Sequence, residues 1–189
     1  VGFNNIDLNK ARELGIKVCN TPDVLSEATA EVALTLMLAV ARNLNQSIAA
    51  IKNNQFKSFD PKGYLGTSLY GKTLGIIGMG RIGTILAKKA ELAFSMKVIY
   101  HSRTKKENIN YDFVSQDELF KNSDFISVHT DLNPTSKFLI DKKAFLLMKK
   151  NAILINTARG DIINQEDLYQ ALLDHQILGA GLDVTSPEP

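Results

Sequence analysis

Three glycines at a fixed spacing are the strongest chemical signal in this sequence. Gly78, Gly80 and Gly83 form a G-x-G-x-x-G pattern between an apolar run at 74–77 and apolar residues at helical spacing. In such a pattern the first glycine permits a tight turn, the second admits a pyrophosphate and the third lets the helix pack on the strand. The N–H groups at the helix start then face the phosphates. The context favours a dinucleotide site over an ordinary glycine turn.

A group of hydrogen-bond donors follows the next predicted strand, at 97–100. NAD sites usually place Asp or Glu there, to accept from the ribose 2′-hydroxyl. This chain has no acid before Glu107 and carries Ser102, Arg103 and Thr104 instead, which can donate to a 2′-phosphate. The missing carboxylate also removes a repulsion. We therefore expect NADP(H) to be preferred, with NAD(H) possible, against the alternative of a solvated basic turn.

Two later strand ends carry side chains suited to catalysis. Arg159 follows the strand at 152–156, and its planar guanidinium suits a carboxylate substrate. The alternative for Arg159 is a surface pair with Asp161. His129 has the side chain of a general acid, but no neighbour is clearly placed to orient its ring. We expect the segment that contains His129 to form one wall of the cofactor site.

Two acidic residues lie near the last predicted strand, within 177–184. Asp183 stands at the strand end, and Glu188 lies between Pro187 and Pro189, which restrict its backbone. From spacing alone, Glu188 is an exposed acid in a proline turn.

The elements that position these residues alternate between strand and helix from residue 72 onward. Continuous apolar strands, each followed by a helix, indicate a parallel sheet covered on both faces, with ligands outside the carboxyl ends of its strands. The fold class is therefore α/β, a doubly wound parallel sheet of the Rossmann type that binds NAD(P). We predict helices at 82–93, 141–149 and 164–174. A further helix should begin with a capping box at 115–118 and end at 122.

Before residue 72 the sequence predicts connecting and helical segments. We expect a short helix between Asp7 and Gly15, a short strand at 16–18 and a buried, inert Cys19. One long helix should run from 25 to 53. Its apolar run of about ten residues is too short for a membrane span, so it is buried in the core, between domains or between subunits. The loop at 54–71 is a lid or an arm.

Composition narrows the class of protein. The 189 residues are 44% hydrophobic and 22% charged, which suits a domain with a real core. A net charge of +2 is too balanced to favour nucleic acid or a membrane surface. A single cysteine excludes an internal disulfide and a cysteine-rich metal site, and we expect no metal. No signal peptide is visible, so the cytoplasm is the expected compartment.

Together these segments resemble the D-2-hydroxyacid dehydrogenase family over essentially the whole chain. The run at 100–104 most resembles its glyoxylate/hydroxypyruvate reductase branch. The resemblance implies hydride transfer between NADP(H) and a small 2-oxo or 2-hydroxy acid, and a homodimer. The matching segments are 1–7, 20–22, 27–30, 78–83, 156–160 and 179–189.

The resemblance also implies domains and residue roles. Residues 1–20 would cross over from a substrate domain, and 21–189 would form the dinucleotide-binding domain. Arg159 would hold the 2-oxo acid, and Glu188 would pair with a catalytic histidine expected beyond Pro189, so the chain alone should bind cofactor without turnover. The implied substrate-binding residues are Val1, Gly2 and Arg159; the implied cofactor-binding residues are Gly78, Gly80, Arg81, Ile82, Gly83, Ser102, Arg103, Thr104, Thr157, Ala158, Arg159 and Asp183.

Three positions depart from the family pattern. The segment 93–95 lacks the usual glycine, Asp131 stands where proline is common, and Thr185 replaces an aromatic residue near Glu188. Other activities of the family, phosphoglycerate or lactate dehydrogenase, stay open. So does a non-enzymatic, cofactor-sensing scaffold of the corepressor type.

Overall fold

A single parallel sheet organises the chain. The computed structural model describes residues 2, 6–58 and 60–188, and within them six strands form a sheet in the order β3-β2-β1-β4-β5-β6. This order reverses direction between β1 and β4, as in doubly wound dinucleotide-binding folds. The predicted fold class is confirmed. The strands are β1 Thr73–Ile77, β2 Lys97–His101, β3 Asp112–Phe113, β4 Phe125–Val128, β5 Ile153–Asn156 and β6 Gly179–Leu182.

Helices cover both faces of the sheet and create two apolar layers. One layer contains Met37, Leu74 and Leu86, between the sheet and helices α2 and α4. The other contains Phe120 and Phe145, under α5 to α7. The helices are α1 Leu8–Glu13, α2 Ser26–Ala41, α3 Leu44–Lys52, α4 Arg81–Phe94, α5 Gln116–Asn122, α6 Lys142–Leu147 and α7 Gln165–Leu173.

Polar side chains fix where several helices begin. Ser115 and Glu118 form the predicted capping box at α5, in which Ser115 accepts from the Glu118 N–H and Glu118 accepts from the Ser115 N–H. Asn164 caps α7, also as predicted, and Asp7 and Asp141 cap α1 and α6. Each cap satisfies N–H groups that the first helical turn leaves without a partner.

The single long helix predicted over 25–53 is wrong. The chain forms α2 and α3, separated by a turn in which Asn43 adopts a left-handed conformation at φ 51°. The Asn43 amide donates a hydrogen bond to the Leu65 carbonyl at 2.8 Å. The break therefore lets Asn43 hold the irregular segment that follows α3, through the contact at Leu65.

The prediction for Cys19 is also wrong. Cys19 is exposed, and no strand forms at 16–18. Ile16 is 57% exposed, so this short apolar run lies on the surface instead of joining a sheet edge.

The unusual end of α4 has a simple geometry. Ser95 takes a left-handed conformation at φ 50°, and its N–H donates to the Glu91 carbonyl. A non-glycine residue thus closes the helix at the point where the family usually has glycine.

Among the helices that the structure describes, none has the length and apolar character needed to span a bilayer.

Candidate functional site

The register of the sheet brings four connecting segments to one edge. Ile77, Val128, Asn156 and Leu182 lie side by side on β1, β4, β5 and β6. His101 pairs with Ile77 on the other side of β1. The residues that follow these positions therefore leave the sheet at the same carboxyl edge, which places the segment of Arg159 on the side of the glycine turn.

The glycine turn joins β1 to the start of α4. Gly78 has φ +96°, and its N–H donates to the His101 carbonyl at 2.9 Å. A β-carbon added at Gly83 would lie 2.5 Å from the Gly78 carbonyl oxygen, whereas one added at Gly80 would meet no protein atom within 4 Å. Gly83 therefore serves helix packing, and Gly80 keeps the space in front of the helix open.

A cleft of about 510 Å³ opens at this edge, where the strand order reverses. Its volume falls in the range of small-molecule sites. The lining combines three connections: the glycine turn, the basic turn after β2 and the segment after β4. The residues are Ile77, Gly78, Met79, Gly80, His101, Ser102, Arg103, Thr104, Lys106, His129, Thr130, Asp131 and Leu139.

The basic turn is held by its own hydrogen bonds. The Ser102 hydroxyl donates to the Thr104 carbonyl at 2.7 Å, and the buried Tyr100 hydroxyl accepts from the Lys106 N–H at 2.9 Å. The Arg103 side chain remains 79% exposed, with one guanidinium nitrogen 3.7 Å from an Asp131 carboxylate oxygen. The turn has no acid of its own, as the sequence shows, but Asp131 brings a carboxylate to it from the connection after β4.

His129 lies at the base of the cleft, partly buried. Its Nε2 is 2.8 Å from the Ser127 hydroxyl, so a neighbour that orients the ring is present, contrary to the expectation from sequence. Burial lowers the pKa of His129 from 6.5 to about 4. A ring held neutral at physiological pH cannot serve as a strong proton donor.

The segment of Arg159 is fixed by a fully buried asparagine. The Asn156 amide donates to the Arg159 carbonyl at 2.8 Å, and its oxygen accepts from the Ala158 N–H at 2.9 Å. An Arg159 guanidinium nitrogen donates to the Ala158 carbonyl at 2.6 Å. Asp161, the partner considered from sequence, accepts from Ser186 and lies 3.9 Å from Lys137.

One buried hydroxyl at this edge lacks a partner. The Thr157 oxygen is inaccessible and makes no hydrogen bond to the residues that the structure describes. Leaving such a group unsatisfied costs about 1–3 kcal/mol. A ligand atom could satisfy it, and so this hydroxyl and the open space at Gly80 both fit a bound dinucleotide.

The acidic segment after β6 joins the same edge. The Asp183 N–H donates to the Asn156 carbonyl at 3.0 Å. The Gly160 backbone packs against the Thr185 carbonyl, and Ser186 donates to Asp161. The arginine and acidic segments are therefore joined, although Asp183 and Glu188 are themselves exposed.

The structure groups some predicted site residues and separates others. Gly78, Gly80, Ser102, Arg103 and Thr104 line one cleft. The remaining predicted residues lie outside that lining. The Arg81 guanidinium pairs with Asp23 at 2.7 Å, Glu188 and Gly2 are exposed in irregular chain, and Val1 is outside the described residues. Six others lie at the same edge of the sheet: Ile82, Gly83, Thr157, Ala158, Arg159 and Asp183.

Eight lining residues were not among the predicted site residues: Ile77, Met79, His101, Lys106, His129, Thr130, Asp131 and Leu139. Lys106 belongs to the same basic turn, so its charge and position offered a signal. His129, Thr130 and Asp131 belong to the segment that was expected to form a wall of the cofactor site, and Asp131 was also noted as a departure from the family pattern. Leu139 lies far along the chain from any motif, and nothing local in the sequence marks it. Among the described side chains, no group of three or more His, Cys, Asp or Glu residues could hold a metal ion.

Comparison with known sequences agrees with this architecture. A sequence model described as the D-isomer specific 2-hydroxyacid dehydrogenase, NAD binding domain, matches residues 34–189. The chain belongs to this dehydrogenase family. It is 47% identical to a glyoxylate reductase of Thermococcus litoralis and 42% identical to a hydroxypyruvate reductase of Thermotoga maritima. These matches cover 100% of the chain but only 59% and 61% of the two relatives.

Several solved structures share the backbone of this chain closely. The TT0316 protein from Thermus thermophilus has a TM-score of 0.95 at 49% identity, over 100% of this chain and 60% of that one. An acyclic imino acid reductase in complex with NADPH and D-Arg has a TM-score of 0.91 at 35% identity, over 98% and 60%. A D-lactate dehydrogenase from Aquifex aeolicus with NAD and lactic acid has 0.89 at 34%, over 98% and 56%.

The two glycines of the helix turn should respond differently to alanine. Gly83→Ala introduces a methyl against the Gly78 carbonyl and should lower the free energy of unfolding by about 1–3 kcal/mol. Gly80→Ala meets only open space, so it should cost less than about 1 kcal/mol but weaken the binding of NAD(P)H by about tenfold. Urea denaturation and cofactor fluorescence measure the two effects. Equal destabilisation, or unchanged binding in Gly80→Ala, would contradict the assignment.

The partly buried His129 should make the free energy of unfolding depend on pH. Its pKa is about 4 in the folded chain and about 6.5 when unfolded, so protons bind preferentially to the unfolded state between these values. The stabilisation present above pH ~6.5 should therefore be lost as the pH falls towards 4, by at most about 3 kcal/mol. The difference between the urea midpoints at pH 7 and pH 5 should become smaller in His129→Gln. It should stay as in the wild type in the exposed control His175→Gln. The same pH slope in both variants would contradict this origin.

Proposed function

We propose that this protein reduces small 2-oxo acids such as glyoxylate or hydroxypyruvate with NADP(H). The observation that carries the proposal is the convergence of a glycine turn, a basic turn and an arginine segment at one edge of the sheet. Because the chain spans about three fifths of its relatives' length, the activity, substrates and assembly of the whole protein belong to this proposal.

The basic turn supports the choice of NADP(H). Arg103 and Lys106 line the cleft together with the Ser102 and Thr104 segment, and the acid that NAD sites place at the end of β2 is absent. Guanidinium groups bind phosphate through two parallel hydrogen bonds, which suits the 2′-phosphate. NAD(H) remains possible, since similar structures hold NADPH in one case and NAD in another.

Phosphate contacts would come from the glycine turn. The first N–H groups of α4, at Arg81, Ile82 and Gly83, offer the positive end of the helix, and Gly78 and Gly80 admit the pyrophosphate. Further along the edge, the unsatisfied Thr157 hydroxyl, Ala158 and Asp183 would contact the nicotinamide half. The bound dinucleotide supplies the hydride.

Arg159 is the residue we assign to the substrate. Its fork of donors would hold the carboxylate of the 2-oxo acid and polarise the adjacent carbonyl, while the Asn156 amide keeps the backbone in place. Val1 and Gly2 would add backbone contacts to the same acid. Glu188 would stabilise the charged form of a histidine that donates the proton, and that histidine is none of His101, His129 or His175.

The names of the relatives support this substrate class. The two relatives described above act on glyoxylate and hydroxypyruvate by name, whereas one similar structure is a D-lactate dehydrogenase. Lactate or phosphoglycerate oxidation is therefore the second candidate. A non-enzymatic scaffold would retain the cofactor cleft without needing a substrate arginine.

Domain organisation and assembly follow the same proposal. Residues 1–20 would enter from a substrate domain, and 21–189 would form the cofactor domain, which alone binds dinucleotide without turnover. Exposed apolar side chains on α3 and the next segment, such as Ile51 at 64% and Leu65 at 67%, support burial in a homodimer. A mass measurement in solution tests the dimer, and the cytoplasmic location stays a prediction.

The substrate proposal is tested with a panel of 2-oxo acids. Full-length protein should oxidise NADPH with glyoxylate or hydroxypyruvate at a higher kcat/KM than with pyruvate or phosphohydroxypyruvate. NADH should give a lower kcat/KM than NADPH, by about tenfold or more, because it lacks the 2′-phosphate. Equal or better use of NADH would defeat the cofactor preference, and no turnover with any acid would favour the scaffold.

Arg159 is tested separately from cofactor binding. Arg159→Lys keeps the charge but loses the planar fork, so kcat/KM for the 2-oxo acid should fall by about a hundredfold, equal to about 2.7 kcal/mol. The NADPH dissociation constant should stay within about threefold. Arg12→Lys, on the exposed face of α1, is the matched control. A normal kcat/KM in Arg159→Lys would contradict the assignment of Arg159 to the substrate site.

A further inference from the structure

The ion pair between Arg103 and Asp131 spans the cleft at its ribose end. The two residues come from different connections, after β2 and after β4, and both line the cleft. Their charged atoms are 3.7 Å apart, and both side chains are largely exposed, at 79% and 67%. An exposed pair of this kind contributes little to stability, so its effect on a ligand is the more important one.

The carboxylate is the better-fixed partner in this pair. Asn133 donates to the second Asp131 carboxylate oxygen at 3.3 Å, and the Ser136 hydroxyl donates to the Asp131 carbonyl at 2.6 Å. Ser136 is itself buried and accepts from the Asn133 N–H at 2.8 Å. Arg103, by contrast, extends from an exposed turn on a long side chain. A ligand can therefore draw the guanidinium away while the carboxylate stays in place.

A 2′-phosphate would meet both groups. It needs the Arg103 fork, which Asp131 engages, and it would carry up to two negative charges close to a fixed carboxylate. A 2′-hydroxyl makes neither demand on Arg103. Asp131 thus opposes the phosphate on two grounds, competition for the guanidinium and direct repulsion, whereas it affects the uncharged ribose far less.

We propose that Asp131 is a specificity-determining residue that weakens the preference for NADP(H) by competing for Arg103. This rests on the proposed function, in which Arg103 contacts the 2′-phosphate. Asp131 thereby reduces the difference in affinity between NADP(H) and NAD(H), although the connection after β2 carries no acid of its own.

The test measures dissociation constants of NADPH and NADH for the full-length protein by cofactor fluorescence. Asp131→Asn should tighten NADPH by about threefold to tenfold and change NADH by less than about twofold. The gain should be largest at about 0.01 M salt and nearly vanish at about 1 M, where the screening length falls to about 3 Å. Asp131→Glu, which retains the charge, should keep the wild-type ratio within about twofold.

A matched control comes from the other end of the sheet. Asp112 lies 3.6 Å from Lys97 with similar exposure, 69% and 66%, at the amino ends of β3 and β2. Asp112→Asn should leave both dissociation constants unchanged. The proposal is overturned if Asp131→Asn leaves the ratio unchanged, weakens NADPH, or selectively weakens NADH, since the last result would make Asp131 a ribose acceptor. The wild-type ratio separately tests the proposed cofactor preference, and absence of binding to either cofactor would overturn both proposals.

Discussion

The close approach of α4 to β1 is the contact on which the site depends. Gly83 lies against the Gly78 carbonyl, with no room for a side chain between them. On its other side α4 packs on α2 through small residues, among them Ala30, Ala33 and Ala87, all fully buried. The first turn of the helix is thus positioned by packing inside the protein. Its free N–H groups face the cleft before any ligand arrives, so a ligand need not meet the cost of ordering them.

The second constraint is the register of the parallel strands. β1, β4 and β5 are buried almost throughout and mostly apolar, so a slip of one residue would move every side chain of a strand to the opposite face of the sheet. The register also decides which connections share an edge. The polar Asn156 ends β5 inside this apolar setting and is fully buried, and its amide satisfies the Ala158 N–H and the Arg159 carbonyl. Rigidity of the arginine segment therefore comes from the same packing that forms the sheet.

Local signals in the sequence accounted for much of the fold. The strands predicted at 97–100 and 152–156, the α5 capping box and the Asn164 cap depend on residues within a few positions of each other. The two caps were confirmed, and each of these two strands forms with one bound shifted by one residue. The break at Asn43 was missed because the apolar pattern continues through it and only its left-handed backbone stops the helix. Cys19 was misplaced because a short apolar run resembles a strand even when no sheet edge lies beside it.

The predictions for the candidate site divide in the same way, into those that local sequence signals allowed and those that depended on the fold. Gly78, Gly80 and the basic turn could be found because each is contiguous in sequence. The Ser127–His129 contact was also within reach, since side chains two residues apart in extended chain point to the same side. The segment of Asp131 was expected at the cofactor site, but its contact with Arg103 was not predicted, because that contact depends on the strand order β2-β1-β4, which no local pattern specifies.

Family membership does not determine which cofactor the site prefers. Solved structures that hold NADPH and NAD share this backbone about equally well, so the backbone alone cannot select between them. The two cofactors differ by a 2′-phosphate, so charges near the ribose can distinguish them. Here the cleft joins two cations from one connection, Arg103 and Lys106, with a carboxylate from another, Asp131. The selectivity of the cleft is therefore a difference between opposing electrostatic terms, each screened by salt, and not the property of any single residue.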